Sequence, residues 1–340
     1  MRFIEDNFEY IPQKFYNGSK EDILKGVYEQ MEYAARICYK TEDLIKDGSA
    51  EKIIDNVIIP RGHTSVLEFG TIYLYRYEST YTNNEEFYEW INGYENDRYS
   101  RVVKEYDPKS ECVEVFVTTT YRTILQGWYS DPIDAIKNNF DKNWKDDFAY
   151  ICAPKKQHHK RYCYKFVMDR VGSQSVMRHR GRFGISYAQE STRFINYNRD
   201  KFEHNIAYSI PSKFYELIDE WSKCVDSLTK EPFDYIKDLS FDSQRSFLRC
   251  HDRGWVAYEE MLKKAENEYM YLVGTEEWKP EDARGVLPLD IKTEFLMCAY
   301  PEDWEMFLFR RTDTHAHPHI QKIAKELEKD FRLRVHEMEK

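Results

Sequence analysis

Arginines at 178, 180, 182 and 193 crowd the stretch RHRGRFGISYAQESTRF, together with His179, Ser186, Gln189, Ser191 and Thr192; Gln174 and Ser175 stand just upstream. Guanidinium forks bind phosphate oxygens in pairs, and hydroxyls with backbone N–H groups complete such a cradle. The composition points to a pocket for an anionic ligand; the alternative is a solvated, arginine-rich surface loop. A second group, Cys152, His158, His159 and Cys163, lies in a basic run with Lys155, Lys156, Lys160 and Arg161. It has the donor types of a zinc site but not the spacing of a common finger, and reads as a solvated loop. His315, His317 and His319 alternate, but Pro318 suits the first turn of a helix, where these side chains would point apart. No metal is expected.

These residues need elements to position them. Ser19 reads as an N-cap, with Glu21 and Asp22 in the first turn of an amphipathic helix carrying Ile23, Leu24, Val27, Met31, Ala34, Ala35 and Cys38. A shorter helix is expected over Glu42 to Asn56 and a strand over Val66 to Tyr77, where tyrosines alternate with Leu74 and Arg76. The section from Ser79 to Lys160 predicts helices at Glu85–Ile91, Tyr121–Trp128 and Pro132–Phe140 and a strand at Cys112–Thr118, without a chemical motif. Tyr162 to Val171 reads as a strand feeding Gln174–Arg180. Helices follow at Lys213–Leu228 and Trp255–Tyr271, and another starts at Pro280–Arg284. Thr293–Tyr300 reads as a strand and Glu302–Arg311 as a helix. The terminal helix runs from His315 and buries Ile320, Ile323, Ala324, Leu327 and Phe331.

Composition excludes several classes. With 340 residues, 41% hydrophobic and 16% aromatic, the chain can bury a large core. Its net charge of −10 gives no general case for binding nucleic acid or an acidic membrane, and a local basic site suits a small anion better. Seven scattered cysteines without CxxC spacing argue for reduced thiols. No signal peptide opens the chain and no apolar run is long enough for a membrane span, so a soluble, cytoplasmic protein is expected.

The arginine-rich stretch also carries a resemblance. Arg178-His179-Arg180, a spacer, then Ser186, Ser191 and Arg193 are similar to the signature of the flavin-dependent thymidylate synthases, the ThyX family. GHTSVLEFGTIYLY (Gly62 to Tyr75) resembles the family's GHxSxxEH segment through His63, Ser65 and Glu68. AARICYK (Ala34 to Lys40) resembles its AARxS helix end, ARGVLPL (Ala283 to Leu289) its AR-x-VLPL, and RTDTHAHPHI (Arg311 to Ile320) its RxDxHAQxxI.

The resemblance implies an α/β (α+β) ThyX-like fold, a mixed β-sheet flanked by helices. The chain would be a single catalytic domain, 1–340, with an inserted subdomain over about 79–160 packed at the outside of the core or on a subunit interface. It implies methylation of dUMP to dTMP, with methylenetetrahydrofolate as carbon source, FAD as hydride carrier and NADPH as reductant. A homotetramer with active sites where subunits meet is part of that expectation. Ser175, Arg178, Gln189, Glu190, Ser191, Thr192, Arg193, Arg284 and Arg311 would bind dUMP, with Arg311 as the catalytic group at the uracil ring. His63, Ser65, Arg178, His179, Arg180, Gln189 and His315 would contact FAD. Ser191 is then a binding hydroxyl and no protein nucleophile is needed.

Departures from the family pattern are also visible. The spacer after Arg180 is three residues longer, with Gly181, Arg182 and Phe183 the extra residues. Ala188-Gln189 replaces Asn-Glu, leaving Glu190 as the carboxylate that compensates. Phe69 replaces the second histidine of GHxSxxEH, Ser175 the glutamine upstream of RHR, and Tyr300 and Met306 replace asparagines that touch FAD. Two other readings stay open: a flavin- and folate-dependent enzyme making another 5-substituted pyrimidine nucleotide, and a non-catalytic nucleotide- or RNA-binding homologue.

Overall fold

The computed structural model describes residues 1–14, 19–126, 147–179, 181, 184–229 and 236–339. The predicted helix Pro132–Phe140, the end of the helix predicted over Tyr121–Trp128, and Arg180, Arg182 and Phe183 lie outside the described residues.

Two short strands, β1 (Arg2–Ile4) and β2 (Asn7–Ile11), precede helix α1 (Lys20–Tyr39). Ser19 and Asp22 form a reciprocal capping box at its start, which satisfies N–H groups that have no partner within the helix. Its inner face buries Val27, Met31, Ala34, Ala35 and Ile37. The helix expected over Glu42–Asn56 is broken instead into a 3-10 turn at Glu42–Leu44, helix α2 (Ser49–Ile53) and a π-helical turn at Ile54–Ile58. Gly48, at φ 69°, interrupts it in the left-handed region that a continuous helix cannot contain. The strand expected from Val66 begins later, as β3 (Thr71–Ser79), because Thr64–Phe69 coils into a 3-10 helix that buries Val66, Leu67 and Phe69.

Helix α3 (Glu85–Asn96), strands β4 (Arg101–Asp107) and β5 (Cys112–Thr120) and helix α4 (Tyr121–Gln126) follow. β5 lies between β3 and β4 in an antiparallel three-stranded sheet, paired with β3 over nine residues. This segment is not a rim on the core. Phe87, Ile91, Tyr94, Val115, Val117, Tyr121 and Ile124 share one buried cluster with Met31 and Ala34 of α1, because β3 holds the segment inside.

Next come β6 (Tyr162–Asp169), α5 (Arg170–Met177), β7 (Ser186–Gln189) and β8 (Ala207–Ser209). Helices α6 (Ser212–Thr229), α7 (Phe241–His251), α8 (Arg253–Gly274) and α9 (Pro280–Ala283) lead to β9 (Lys292–Ala299), α10 (Pro301–Arg311) and α11 (Pro318–Glu339). β2, β6, β9 and β7 form an antiparallel four-stranded sheet in that order, and β1 pairs in parallel with β8. The terminal helix starts at Pro318, not His315, and buries the expected stripe of Ile320, Ile323, Ala324, Leu327 and Phe331. The fold is α+β, with sheets covered by helices. No helix among the described residues is long and apolar enough to cross a membrane.

Candidate active site

Strand β6 hands the chain to α5 at Asp169, whose side chain caps the helix by accepting from the Gly172 N–H. The same carboxylate meets Nδ1 of His319 at 3.2 Å, while Nε2 of His319 contacts Asp6. Two acceptors favour a doubly protonated ring. Burial pulls the His319 pKa down, but the carboxylates outweigh it and lift it to about 10. A histidine raised in this way stabilises the fold fully below its unfolded value of 6.5, and that contribution is lost as the pH climbs toward 10. Urea midpoints are therefore expected to fall between about pH 6.5 and 9.5, with much of that slope missing in His319→Gln. The same slope in both proteins would remove His319 as its source.

Helix α5 carries Ser175 and ends at Arg178 and His179. Arg178 is exposed, whereas His179 is buried edge-on to Phe307 of α10, with ring centroids 5.6 Å apart. Burial, with Arg310 and Arg311 behind it, depresses the His179 pKa to about 4, so the ring is neutral at pH 7. Its Nε2 is buried without a hydrogen-bond partner. Arg311, at the end of α10, donates from Nη2 to the Ser175 carbonyl at 2.6 Å. The Arg311 Nε is buried and unpartnered as well.

The other half of the signature leaves β7. Gln189 Nε2 donates to Ser173 Oγ at 2.8 Å and to Thr293 Oγ1 at 3.2 Å. The Glu190 carboxylate, expected to compensate for the altered Asn-Glu pair, is held within the chain. It accepts from Tyr197 Oη at 2.9 Å, Lys292 Nζ at 2.8 Å and the Glu294 N–H at 3.1 Å. The Ser191 N–H donates to the Cys38 carbonyl at 3.0 Å, which ties this turn to the end of α1. Thr192 is half-buried and Arg193 exposed, with its Nε on Glu281 Oε2 at 2.7 Å. The Arg193 hydrogen bond, then the fields of Arg193, Lys279 and the exposed Arg284 just past α9, lower the Glu281 pKa. Glu281, 88 positions beyond Arg193, is thus brought against it.

His63 sits in this second group. Its Nδ1 lies 2.5 Å from Tyr39 Oη, and Tyr39, His63 and Phe194 form a trio of rings with centroids 5.6–6.2 Å apart. Burial, then Arg61 and Arg193, lowers the His63 pKa. Ser65 is exposed on the 3-10 helix. His315 is exposed, with its Nδ1 on Asp313 Oδ1 at 2.8 Å. Among the described residues no hydrogen bond or ion pair joins His63, Ser65 or Arg193 to Ser175, Arg178, His179 or Arg311. The candidate residues form two groups, one where α5 and α10 end and one around the turn after β7.

The basic run read as a solvated loop is partly interior. His158 is buried, with Nε2 2.9 Å from the Leu74 carbonyl, and Arg161 is 2% exposed. Arg161 donates to the Glu68 carbonyl at 2.7 Å and to Ser186 Oγ at 2.7 Å, so one guanidinium joins the GHTSVLEF turn to β7. No group of three metal-binding side chains occurs among the described residues. Tyr300 is fully buried and donates to the Tyr99 and Thr118 carbonyls, so its hydroxyl is engaged by the segment after β3. The lengthened spacer runs close to its neighbours. A Cβ at Gly181 would lie 2.5 Å from the Asp303 carboxylate, and Gly184, at φ 78°, faces the Arg98 carbonyl. Sequence reasoning passed over Tyr39, Asp169, Arg161 and Glu281. Tyr39 stood within AARICYK, and Glu281 two positions before ARGVLPL.

Fold and site together define an α+β protein that gathers arginines at the ends of two helices and around one turn, an arrangement suited to a small anionic ligand. Residues 114–335, which are 222 of the 340, match the family described as thymidylate synthase complementing protein, and the chain belongs to that family. Membership places it among the thymidylate-synthase-type, flavin-dependent enzymes. Gly62 to Tyr75 and Ala34 to Lys40 lie before the matched span. Comparison with curated proteins gives no match.

Proposed function

We propose that the protein methylates dUMP to dTMP in the cytoplasm, with methylenetetrahydrofolate as carbon source, FAD as hydride carrier and NADPH as reductant. The observation that carries this reading is the pair of buried, unpartnered nitrogens, Arg311 Nε and His179 Nε2, beside Ser175 and the exposed Arg178. A buried polar group without a partner costs about 1–3 kcal/mol, and a ligand with carbonyl and imide edges would satisfy both. This donor set fits a nucleobase and a flavin. When bound, reduced flavin supplies the hydride that completes the methyl group.

The residues divide the remaining work. Arg311 stabilises negative charge on the N3–O face of uracil, which makes C5 nucleophilic. Arg193, Arg284 and the Ser191 hydroxyl hold the phosphate, with Thr192 in the same turn. Arg178, Ser175 and Gln189 align the nucleotide against the flavin. His63, Ser65, His179 and His315 face the flavin, and Arg180, outside the described residues, joins them by motif. Glu190 positions the Ser191–Arg193 turn. A homotetramer in which subunits share sites is the assembly proposed, since it would bring the two groups of residues together. The chain acts as one domain, 1–340, with 79–160 inserted.

The Arg193–Glu281 pair is exposed, so it contributes little to stability and a phosphate can displace it. Arg193→Ala is expected to raise KM for dUMP about 10–100-fold, the loss of one charge-assisted phosphate contact, with kcat little changed. An unchanged KM would take Arg193 out of the phosphate site. The reading itself is tested by incubating the protein with FAD, NADPH, methylenetetrahydrofolate and dUMP. Formation of dTMP is the expected result. A mass-shifted product from dCMP alone, or no flavin binding, would replace it with one of the two other readings.

A further inference from the structure

One side chain of the inserted segment reaches toward both groups of candidate residues. Between α3 and β4 the chain reverses in a tight turn, Asp97 to Ser100, closed by the Ser100 N–H on the Asp97 carbonyl at 3.3 Å. The Asp97 carboxylate braces it, accepting from the Tyr99 N–H at 3.0 Å, from Ser100 Oγ at 2.6 Å and from Thr123 Oγ1 at 3.2 Å. The turn therefore holds the half-buried Tyr99 in a set direction.

Three contacts leave Tyr99. Its Oη donates to Glu68 Oε1 at 3.0 Å. Glu68 is the buried carboxylate of the 3-10 helix that carries Ser65 and follows His63. The same oxygen accepts from Arg122 of α4, also in the inserted segment. The Tyr99 ring lies against the spacer: a Cβ at the buried Gly184 would stand 2.8 Å from Tyr99 Cδ1 and 2.7 Å from the Arg98 carbonyl oxygen. Gly184 is five positions beyond His179 and two before β7. Finally, the Tyr99 carbonyl accepts from Tyr300 Oη at 2.8 Å, next to the start of α10, which ends at Arg311. Burial, then the charge of Glu68, pushes the Tyr99 pKa up to about 12, so the hydroxyl keeps its proton and stays a donor.

We propose that Tyr99 is a positioning residue for the flavin: it sets the spacing between the turn bearing His63 and Ser65 and the spacer that returns from Arg178, His179 and Arg180. The inserted segment is thereby part of the site's support. This rests on the synthase reading above. Tyr99 need not touch the flavin, because a site loosens when the residues that hold it yield by about 1 Å. Without the hydroxyl, the Glu68 oxygen keeps Arg122 alone, and the 3-10 helix is no longer tied to the Tyr99 turn.

The test measures FAD affinity of the full-length protein by flavin fluorescence in wild type, Tyr99→Phe and Tyr99→Leu, at a temperature where circular dichroism shows them folded. Phenylalanine keeps the ring against Gly184 and removes the bond to Glu68. It is expected to weaken FAD binding about tenfold, with the Tm of the flavin-free protein lowered by no more than a few degrees. Leucine removes both contacts and should weaken binding further. If the leucine variant fails to fold, the phenylalanine variant decides alone. An affinity in Tyr99→Phe within about twofold of wild type overturns the proposal and leaves Tyr99 a packing residue. So does a loss that appears only where the variant melts. The synthase reading is judged separately, by dTMP formation in wild type. A wild type that binds FAD and forms no dTMP sinks that reading, while the comparison of affinities still decides the role of Tyr99. A wild type that binds no FAD overturns both.

Discussion

Replacing Arg311 by alanine is expected to lower kcat for dTMP formation about 10²–10³-fold, the usual loss when a preorganised group facing developing charge is removed. The fold should survive, because Arg311 is the last residue of α10 and its guanidinium bonds to the Ser175 carbonyl at the surface end of that helix. Lysine should not rescue it. The guanidinium spends Nη2 on Ser175 and keeps Nε free in a buried position, and a single ammonium cannot serve both directions. Burial, followed by the field of Arg310, lowers the Arg311 pKa, but the group stays charged throughout the working range. Activity loss should therefore be the same at pH 7 and pH 9. Steady-state kinetics with circular dichroism decide it: a variant that keeps activity within about threefold of wild type would show that charge at the uracil ring is stabilised elsewhere.

Elements with strong local signals were legible in the sequence, and those that depend on distant partners were not. Ser19 with Asp22 announces α1, and the apolar stripe from Ile320 to Phe331 announces α11, since caps and periodicity are local properties. β1, β2, β7 and β8 are three to five residues long, too short for alternation to emerge, and exist through the partners they pair with. Arg161 misled for a related reason. Among lysines and histidines it reads as solvated, yet backbone carbonyls and Ser186 take up its two terminal nitrogens in the interior. The motifs named the candidate residues but not their grouping. That Arg193 meets Glu281, or that Tyr39 meets His63, depends on tertiary contacts across 88 and 24 positions.

Glu190 is where motif and geometry diverge most, and its replacement should be the most damaging to stability. Read along the chain it is the carboxylate beside Gln189 in the signature; in the fold it is fully buried and anchors Tyr197, Lys292 and the Glu294 N–H. Removing one member of a buried ion pair costs about 3–5 kcal/mol, because the groups left behind lose their partner in a low dielectric. Lys292 keeps Glu294 at 2.8 Å, which moderates the loss toward the lower figure. Glu190→Ala is thus expected to cost about 3 kcal/mol and lower Tm by several degrees. Glu190→Gln keeps the shape and the Tyr197 bond and should cost less, about 1–2 kcal/mol. The two variants separate structure from chemistry. If the carboxylate only positions the Ser191–Arg193 turn, the glutamine variant retains kcat at a temperature where it is folded, and KM for dUMP rises modestly. A glutamine variant with wild-type Tm and no turnover would instead make Glu190 a participant in the reaction, and its bonds to Lys292 and Tyr197 would then have to open during the catalytic cycle.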